Sequence, residues 1–311
     1  MDDRTVGSGT VAFDAVPLGT VTESELTSQP EMWAQAIALP AAQLDLLPRS
    51  GEKVLVIGCG TSYYIGDAWA YLRNDAGLGR TRAAIPTELT WVDADEHIVL
   101  ISRSGTTSDV IEVVERYRAT HTITAILGDL ETPLGELCDR IVHLGFADET
   151  SIVQTRFATT VLTTLRASID AVPPALIDDA RTALSLPLPI DPALVRQVVF
   201  LGHRWSVGLA HEAALKLRES AGAWTEAYPV WEYQHGPISC AGPGSLVWAL
   251  GELPDAVADD VRATGATVYV DELDPQAGLV LAHRLALAMA REVGRDPDTP
   301  PFLNRSVLTA T

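Results

Sequence analysis

Lys53-Val54-Leu55-Val56-Ile57 runs straight into Gly58-Cys59-Gly60-Thr61-Ser62, and Ile98-Val99-Leu100-Ile101 runs into Ser102-Arg103-Ser104-Gly105-Thr106-Thr107. Each is a short apolar run of the kind buried on both faces of a parallel sheet, followed by a glycine-and-hydroxyl turn and then a helical pattern. Such a turn offers an anion backbone N–H groups, side-chain hydroxyls and the positive end of a helix dipole. Glycine allows close approach to the backbone, while Ser and Thr supply donors that rotate to fit. Two such turns suit a compact phosphate, so the expected ligand is a phosphorylated small molecule.

The same alternation extends outward on both sides. Strands are expected near 53–57, 82–86, 98–101, 122–127 and 140–144, with helices over 29–47, 62–77, 107–118, 133–138 and 151–169. Strands alternating with helices make a parallel sheet covered on both faces. Between Ala171 and Pro192, Pro173, Pro174, Pro187, Pro189 and Pro192 mark a helix followed by a connector. The pattern then restarts: Val198-Val199-Phe200-Leu201 leads into Gly202-His203-Arg204-Trp205-Ser206, again with a Ser four residues after the first Gly. That spacing reads as an internal duplication. The SRSGTT turn has no evident counterpart, since Pro243-Gly244-Ser245 stands in a different context. The expected organisation is a poorly ordered tail over 1–20, a phosphate-binding lobe over 21–185 and a second lobe over 186–311 that contributes chemistry.

Composition narrows the function class. A chain of 311 residues has room for one or two sizeable cores. Its formal net charge of −19 argues against a nucleic-acid groove, but not against an anionic ligand held by local N–H groups. Cys59, Cys138 and Cys240 are far apart and form no CxxC pair, and no His/Asp/Glu cluster has ligand spacing, so no metal is expected. Gly58-Cys59-Gly60 opens like a dinucleotide fingerprint, yet Tyr63 stands where the third glycine belongs, and no cofactor is expected. Cys59 reads as a small packing residue of the turn. No apolar run approaches the roughly 20 residues of a membrane span, and Met1-Asp2-Asp3 is unlike a signal peptide. The expectation is a cytoplasmic protein without membrane contact.

The second lobe carries the candidate chemistry. Glu212, Lys216 and Glu219 are spaced i, i+4 and i+7 and share one helix face. Taken alone, that spacing most simply describes a solvated ion-pair ladder. Downstream, Trp231-Glu232-Tyr233-Gln234-His235-Gly236-Pro237 places a histidine on a turn, where a side chain can be presented to a cleft. A carboxylate, a lysine and a histidine together suit moving protons around a carbonyl. His203 and His211, flanking the second turn, read as structural or cleft-lining. Trp224, Tyr228 and Trp231 read as core or pocket-shaping.

CGTS, SRSGTT, ALKLRE and EYQHGP occur in that order. They are accompanied by Glu25…Gln29-Pro30 before the first strand, Glu149…Thr155…Thr159-Thr160 after the fifth, and Leu303-Asn304-Arg305-Ser306-Val307 at the end. In this combination residues 22–311 resemble the sugar isomerase (SIS) family. Its members include the isomerase half of glucosamine-6-phosphate synthase, free-standing amino-sugar-phosphate deaminases, ketose/aldose isomerases and fructosamine-phosphate deglycases. The resemblance implies two SIS-type, flavodoxin-like three-layer sandwiches with parallel sheets. It makes Ser62, Ser102, Ser104 and Thr107 the phosphate binders, with backbone help from Arg103 and Gly105. Gly60, Thr61, Ile152, Gln154 and Arg305 would line the substrate. Glu219 would shuttle a proton between C1 and C2, Lys216 would assist it, and His235 would open the sugar ring in the site of a neighbouring subunit, which implies a homodimer.

Four departures from the family pattern shape the expected activity. Position 2 is Asp rather than a nucleophilic Cys and a glutaminase domain is lacking, so ammonia is not expected to come from glutamine. Arg305 stands where the synthase has a Schiff-base lysine, and an always-charged guanidinium cannot form that bond, although it could still clamp an anion. Ile152-Val153-Gln154 replaces a smaller Val-Ala-Ser lining. Residues 251–290 are few for a complete second sandwich, so an edge strand is expected to be missing. The expected enzyme acts on a hexosamine or hexose 6-phosphate by C1/C2 proton transfer, as an isomerase or a deaminase. The alternatives are a fructosamine-6-phosphate deglycase and a non-catalytic sugar-phosphate-binding regulator, which would have no need for Glu219, Lys216 and His235.

Overall fold

In the computed structural model, which describes residues 17–306, each of the apolar runs named above is a parallel strand. The chain opens with α1 (Thr20–Thr27), α2 (Gln29–Ile37) and α3 (Ala41–Leu44). The first sheet and its helices follow: β1 (Lys53–Ile57), α4 (Thr61–Asp75), β2 (Thr81–Ala84), β3 (Glu96–Ser102), α5 (Ser108–Tyr117), β4 (Ile123–Leu127), α6 (Pro133–Leu137), β5 (Ile141–His143), α7 (Arg156–Ala167) and α8 (Leu176–Ser185). The second half comprises β6 (Gln197–Gly202), α9 (Ser206–Ala221), β7 (Thr225–Pro229), β8 (Ser245–Leu250), α10 (Asp255–Ala263), β9 (Thr267–Val270) and α11 (Pro275–Glu292).

Strand order is β2-β1-β3-β4-β5 in the first sheet and β7-β6-β8-β9 in the second. The second sheet repeats the first and stops one strand short, in keeping with the shortness of 251–290. The duplication extends to the backbone: Gly60 has φ 52° and Arg204, at the same register in the second copy, has φ 53°. Glycine carries that left-handed conformation without a Cβ penalty, whereas arginine does not.

Alternation along the strands sorts the core into layers. Leu55, Ile57, Ile98 and Leu100 face outward onto Val110, Val113 and Val114 of α5. Val199, Leu201, Val247 and Ala249 face outward on the other sheet, onto Val257 and Val261 of α10. The two inner faces, Val54, Val56, Val99 and Ile101 on one side and Val198, Phe200, Leu246 and Trp248 on the other, belong to one continuous core with α2, α4, α7, α8, α9 and α11. The sheets therefore share a central helical layer. Trp33 and Trp69 are fully buried in it, as is Trp248 of β8 against it, and each buried side chain of this class is worth about 1.5–3 kcal/mol or more. Within that layer α4 and α9 approach closely at Gly208, where a Cβ would lie 2.5 Å from Tyr64 O and 3.0 Å from Ala68 Cβ.

Several local expectations are corrected. The single helix over 29–47 is two pieces preceded by the unexpected α1: Pro30 suits the first turn of α2, and Pro40 precedes α3. Of the expected tail, residues 1–16 lie outside the described residues, as does Val307 of the C-terminal motif. Gly19, in contrast, already donates its N–H to Asp296 Oδ1 at 2.9 Å, and Thr20 begins α1. The helix expected from 151 starts at Arg156, after a loop. Pro243-Gly244-Ser245 leads into β8 rather than out of it. The exit from β8 is Gly251-Glu252-Leu253-Pro254, which carries no hydroxyl. Among the described residues no helix is long and apolar enough to cross a membrane.

Candidate active site

Ile57 of β1 pairs with Leu100 of β3, so the two glycine-and-hydroxyl turns leave the first sheet side by side. This is the crevice where strand order reverses, the usual ligand position in a doubly wound sheet. The helices that follow have no side-chain cap: Gly60 precedes α4 and Thr107 precedes α5, neither bonding the first turn through a side chain. Both helices therefore direct the positive ends of their dipoles at this crevice. Ser102 Oγ accepts the Gly105 N–H at 3.1 Å and Ser104 Oγ accepts the Thr106 N–H at 3.3 Å. Each hydroxyl oxygen is thereby oriented by the turn and keeps its proton to donate.

A cavity of about 850 Å³ opens over these turns. Gly60, Thr61, Ser62, Ser102, Arg103, Ser104 and Thr107 line it from the first lobe, Ile152 and Gln154 from the loop before α7, Lys216 and Glu219 from α9, and Arg305 from the C-terminal segment. All the residues expected at the site meet there except two. Gly105 lies in the turn without forming the cavity wall. His235 sits on the exposed 3₁₀ turn Glu232–His235 and lines no cavity described. His203 faces a second cavity, beside Trp205 and Asp271, at the end of the second sheet. His211 stacks on Tyr64 with ring centroids 5.2 Å apart.

The α9 ladder is buried, not solvated. Glu212 and Lys216 are 0% and 1% exposed, and Glu219 is partly exposed where it meets the cavity. Lys216 Nζ donates to Thr61 Oγ1 at 2.9 Å and to Glu219 Oε2, and lies 3.6 Å from Glu212 Oε1. The α4–α9 approach at Gly208 places Thr61 within that reach. Burial pushes the Glu212 carboxyl up to about 7; Lys216 opposes the shift and Glu219 adds to it. Burial alone would pull Lys216 down, but Glu212 and Glu219 outweigh it and hold the ammonium above its ordinary value. On α11, His283 is driven down to about 3 by burial, with Lys216 adding, and so stays neutral. The site thus holds a fixed ammonium beside a carboxylate open to the cavity, an arrangement able to move a proton on a bound carbonyl compound.

The Arg103 guanidinium is engaged by protein. It donates to Ser151 O at 2.6 Å and Ile152 O at 3.2 Å, tying the turn over 102–107 to the loop before α7. Burial lowers its pKa, with Glu149 opposing. Glu149 accepts from Thr155 N and Oγ1, Arg156 N and Phe157 N at 2.7–3.0 Å, so it caps α7 across the loop. Arg305 donates through Nη2 to both carboxylate oxygens of Asp148, at 2.8 and 2.7 Å, and through Nη1 to Glu149 O. The C-terminal segment therefore closes one side of the cavity, and the guanidinium is engaged by protein. Burial pushes the Cys59 thiol up to about 11, with Asp109 adding, in keeping with a packing role in the turn.

Sequence reasoning missed Asp109 and Asp148. Asp109 lines the cavity from the first turn of α5, where an acidic residue is too common to signal a site. Asp148 meets its partner across 157 residues. Among the described residues no group of three or more His, Cys, Asp and Glu is placed to hold a metal.

No protein-family model matches the chain. It is 26% identical over 272 residues to the isomerizing glutamine–fructose-6-phosphate aminotransferase of Sulfurisphaera tokodaii, covering 79% of this chain and 46% of that protein. With the protein of the same name from Pyrobaculum aerophilum it is 27% identical over 345 residues, covering 91% and 56%. The chain thus spans about half the length of the curated relatives it matches. Among solved structures, glucosamine-6-phosphate deaminase from Thermotoga maritima superposes with a TM-score of 0.79 at 24% identity, covering 93% of this chain and 99% of that one. Tagatose-6-phosphate ketose/aldose isomerase from Escherichia coli gives 0.74 at 19%, covering 93% and 99%. The resemblance to sugar isomerases stated from the motifs is borne out, and these relatives and neighbours are enzymes.

Proposed function

We propose that the chain is a phosphosugar enzyme that moves a proton between C1 and C2 of a hexosamine or hexose 6-phosphate, acting as an isomerase or an amino-sugar-phosphate deaminase. One observation carries this reading: the two helix starts without side-chain caps and the Lys216–Glu219 pair face the same cavity, although they come from different sheets. In this account Ser62, Ser102, Ser104 and Thr107 hold the phosphate with the turn backbone at Arg103 and Gly105. Glu219 takes the proton from one carbon and returns it to the next. Lys216, fixed by Thr61, neutralises charge that develops on the sugar oxygen. Ile152, Gln154 and the segment around Arg305 shape the space at C2.

We read the two sheets as two SIS-type lobes, divided near residue 185, that share their inner helices. His235 is exposed and stands apart from the cavity, so in this reading it serves the cavity of a second copy in a homodimer. Sugar phosphates do not cross membranes unaided, and we place the protein in the cytoplasm. The test is a turnover panel of glucosamine, galactosamine, fructose, glucose and fructosamine 6-phosphates followed by NMR and ammonia release. Ketose formation, with or without ammonia, is the expected result and separates isomerase from deaminase. Binding without turnover of any of them would replace the enzyme with a sugar-phosphate sensor.

A further inference from the structure

The loop that carries Ile152 and Gln154 into the cavity is held by chain almost 150 residues further on. Ile152 N–H donates to Asp298 O at 3.3 Å, and the Ser151 hydroxyl donates to Pro297 O at 3.2 Å. The Asp298 carboxylate in turn caps α1, accepting from Val21 N at 3.0 Å, Thr22 N at 2.7 Å and the Thr22 hydroxyl at 2.6 Å. The cap residue of α1 itself, Gly19, has no side chain for the task. The Thr22 hydroxyl also lies 2.7 Å from the Ser151 hydroxyl. From the same helix Glu25 accepts the N–H groups of Thr150 at 2.5 Å and Ser151 at 3.2 Å. Ser151 is 1% exposed and Thr22 and Glu25 are buried, while Asp298 is half-buried and meets Val21 at the surface.

On its other side the junction meets the phosphate turn. The carbonyls of Ser151 and Ile152 are the acceptors of the Arg103 guanidinium, which is itself 2% exposed. A buried cation that loses its acceptors is costly, so Arg103 follows those carbonyls wherever the loop goes. The described hydrogen bonds of Lys216 run to Thr61 and Glu219 and do not enter this network.

We propose that Asp298 is a positioning residue for substrate binding: its carboxylate holds α1, whose Thr22 hydroxyl and Glu25 carboxylate meet Thr150 and Ser151 of the sugar-facing loop, and Arg103 ties that loop to the phosphate turn. The proposal rests on the phosphosugar reading given above. Because the proton-transfer groups stand on α9, outside the network, Asp298 governs how well the substrate is held rather than how fast the proton moves.

The test compares Asp298→Ala, Asp298→Asn and Thr22→Val with the native protein. The readouts are KM, kcat, thermal midpoint and the calorimetric Kd for glucosamine 6-phosphate. Asp298→Ala keeps the backbone bond from Ile152 but releases Val21 and Thr22 of α1, and with them the hold of Thr22 and Glu25 on the loop; KM and Kd are expected to rise about tenfold, with kcat within about twofold. Asp298→Asn keeps an acceptor oxygen and is expected to recover most of that loss. Thr22→Val, which folds with the carboxylate cap in place, is expected to raise KM by a smaller factor. A lowered thermal midpoint with unchanged KM and Kd in all three variants would make Asp298 merely structural and overturn the proposal. A fall in kcat at constant KM would also overturn it. Native protein that neither binds nor converts any sugar phosphate would overturn the phosphosugar reading itself, and the proposal with it.

Discussion

Replacing Glu212 by Gln probes the buried centre of the site with a nearly isosteric change. The folded protein holds the Glu212 proton up to about pH 7, whereas an unperturbed carboxyl of this kind releases it near 4.5. Between those values the unfolded chain gives up its proton first, the folded state binds more protons, and stability falls as pH rises. At 1.36 kcal/mol per pH unit this amounts to about 3 kcal/mol, complete once both states are ionised. The amide introduced by Glu212→Gln mimics the protonated acid at every pH, so the variant and the native protein should be nearly equal near pH 4.5. By pH 8 the variant should be the more stable by about 3 kcal/mol. Urea denaturation of both proteins across pH 4.5–8.5 reads the difference directly. A difference that does not change with pH, or one in which the native protein gains on the variant as pH rises, would refute the reasoning. The second result would mean that Lys216, 3.6 Å away, outweighs burial.

Gly208→Ala puts a methyl group 2.5 Å from Tyr64 O and is expected to cost about 1–3 kcal/mol in thermal or chemical unfolding. Full stability would mean that α4 and α9 do not approach as described. Arg305→Ala removes the ion pair to Asp148 and opens one side of the cavity. KM is expected to rise several-fold with less effect on kcat, because paired guanidinium–carboxylate bonds hold position rather than chemistry, and an unchanged KM would show that the C-terminal segment is not part of the binding site. His235→Ala and Glu219→Gln proteins, each inactive alone, are expected to regain turnover when unfolded and refolded together. Failure to complement would place His235 outside the neighbouring site.

How far the sequence can be read depends on the range over which each feature acts. The strands and both glycine-and-hydroxyl turns are legible because a buried parallel strand and the helix start after it are defined within about ten residues. The convergence of Lys216 and Glu219 on one face follows from helical spacing. The burial of that face does not, because Glu–Lys spacing at i, i+4 is the same in water and in a core. The packing of α4 and α11 onto α9 decides it. The sequence pattern places the α7 start too early because Glu149, which caps the helix, stands six residues upstream of Thr155. Arg305 is recognisable as a departure, but its partner Asp148 is 157 residues away and carries no local signature. For the same reason the hold of the Asp298 carboxylate on α1 is invisible until the chain is folded. His235 is legible as a turn residue; its position apart from the cavity is apparent only in three dimensions.

The central claim is that Glu219 moves a proton at C1 or C2 of a bound sugar phosphate, and solvent-exchange NMR in deuterium oxide tests it most directly. Native protein should incorporate solvent deuterium at C1 or C2 of a hexosamine or hexose 6-phosphate as it forms the ketose or releases ammonia. Glu219→Gln should lose this exchange by about 10²–10⁴-fold while still binding the sugar phosphate. Exchange that persists undiminished in Glu219→Gln, or its absence from native protein with every 6-phosphate offered, would contradict the account.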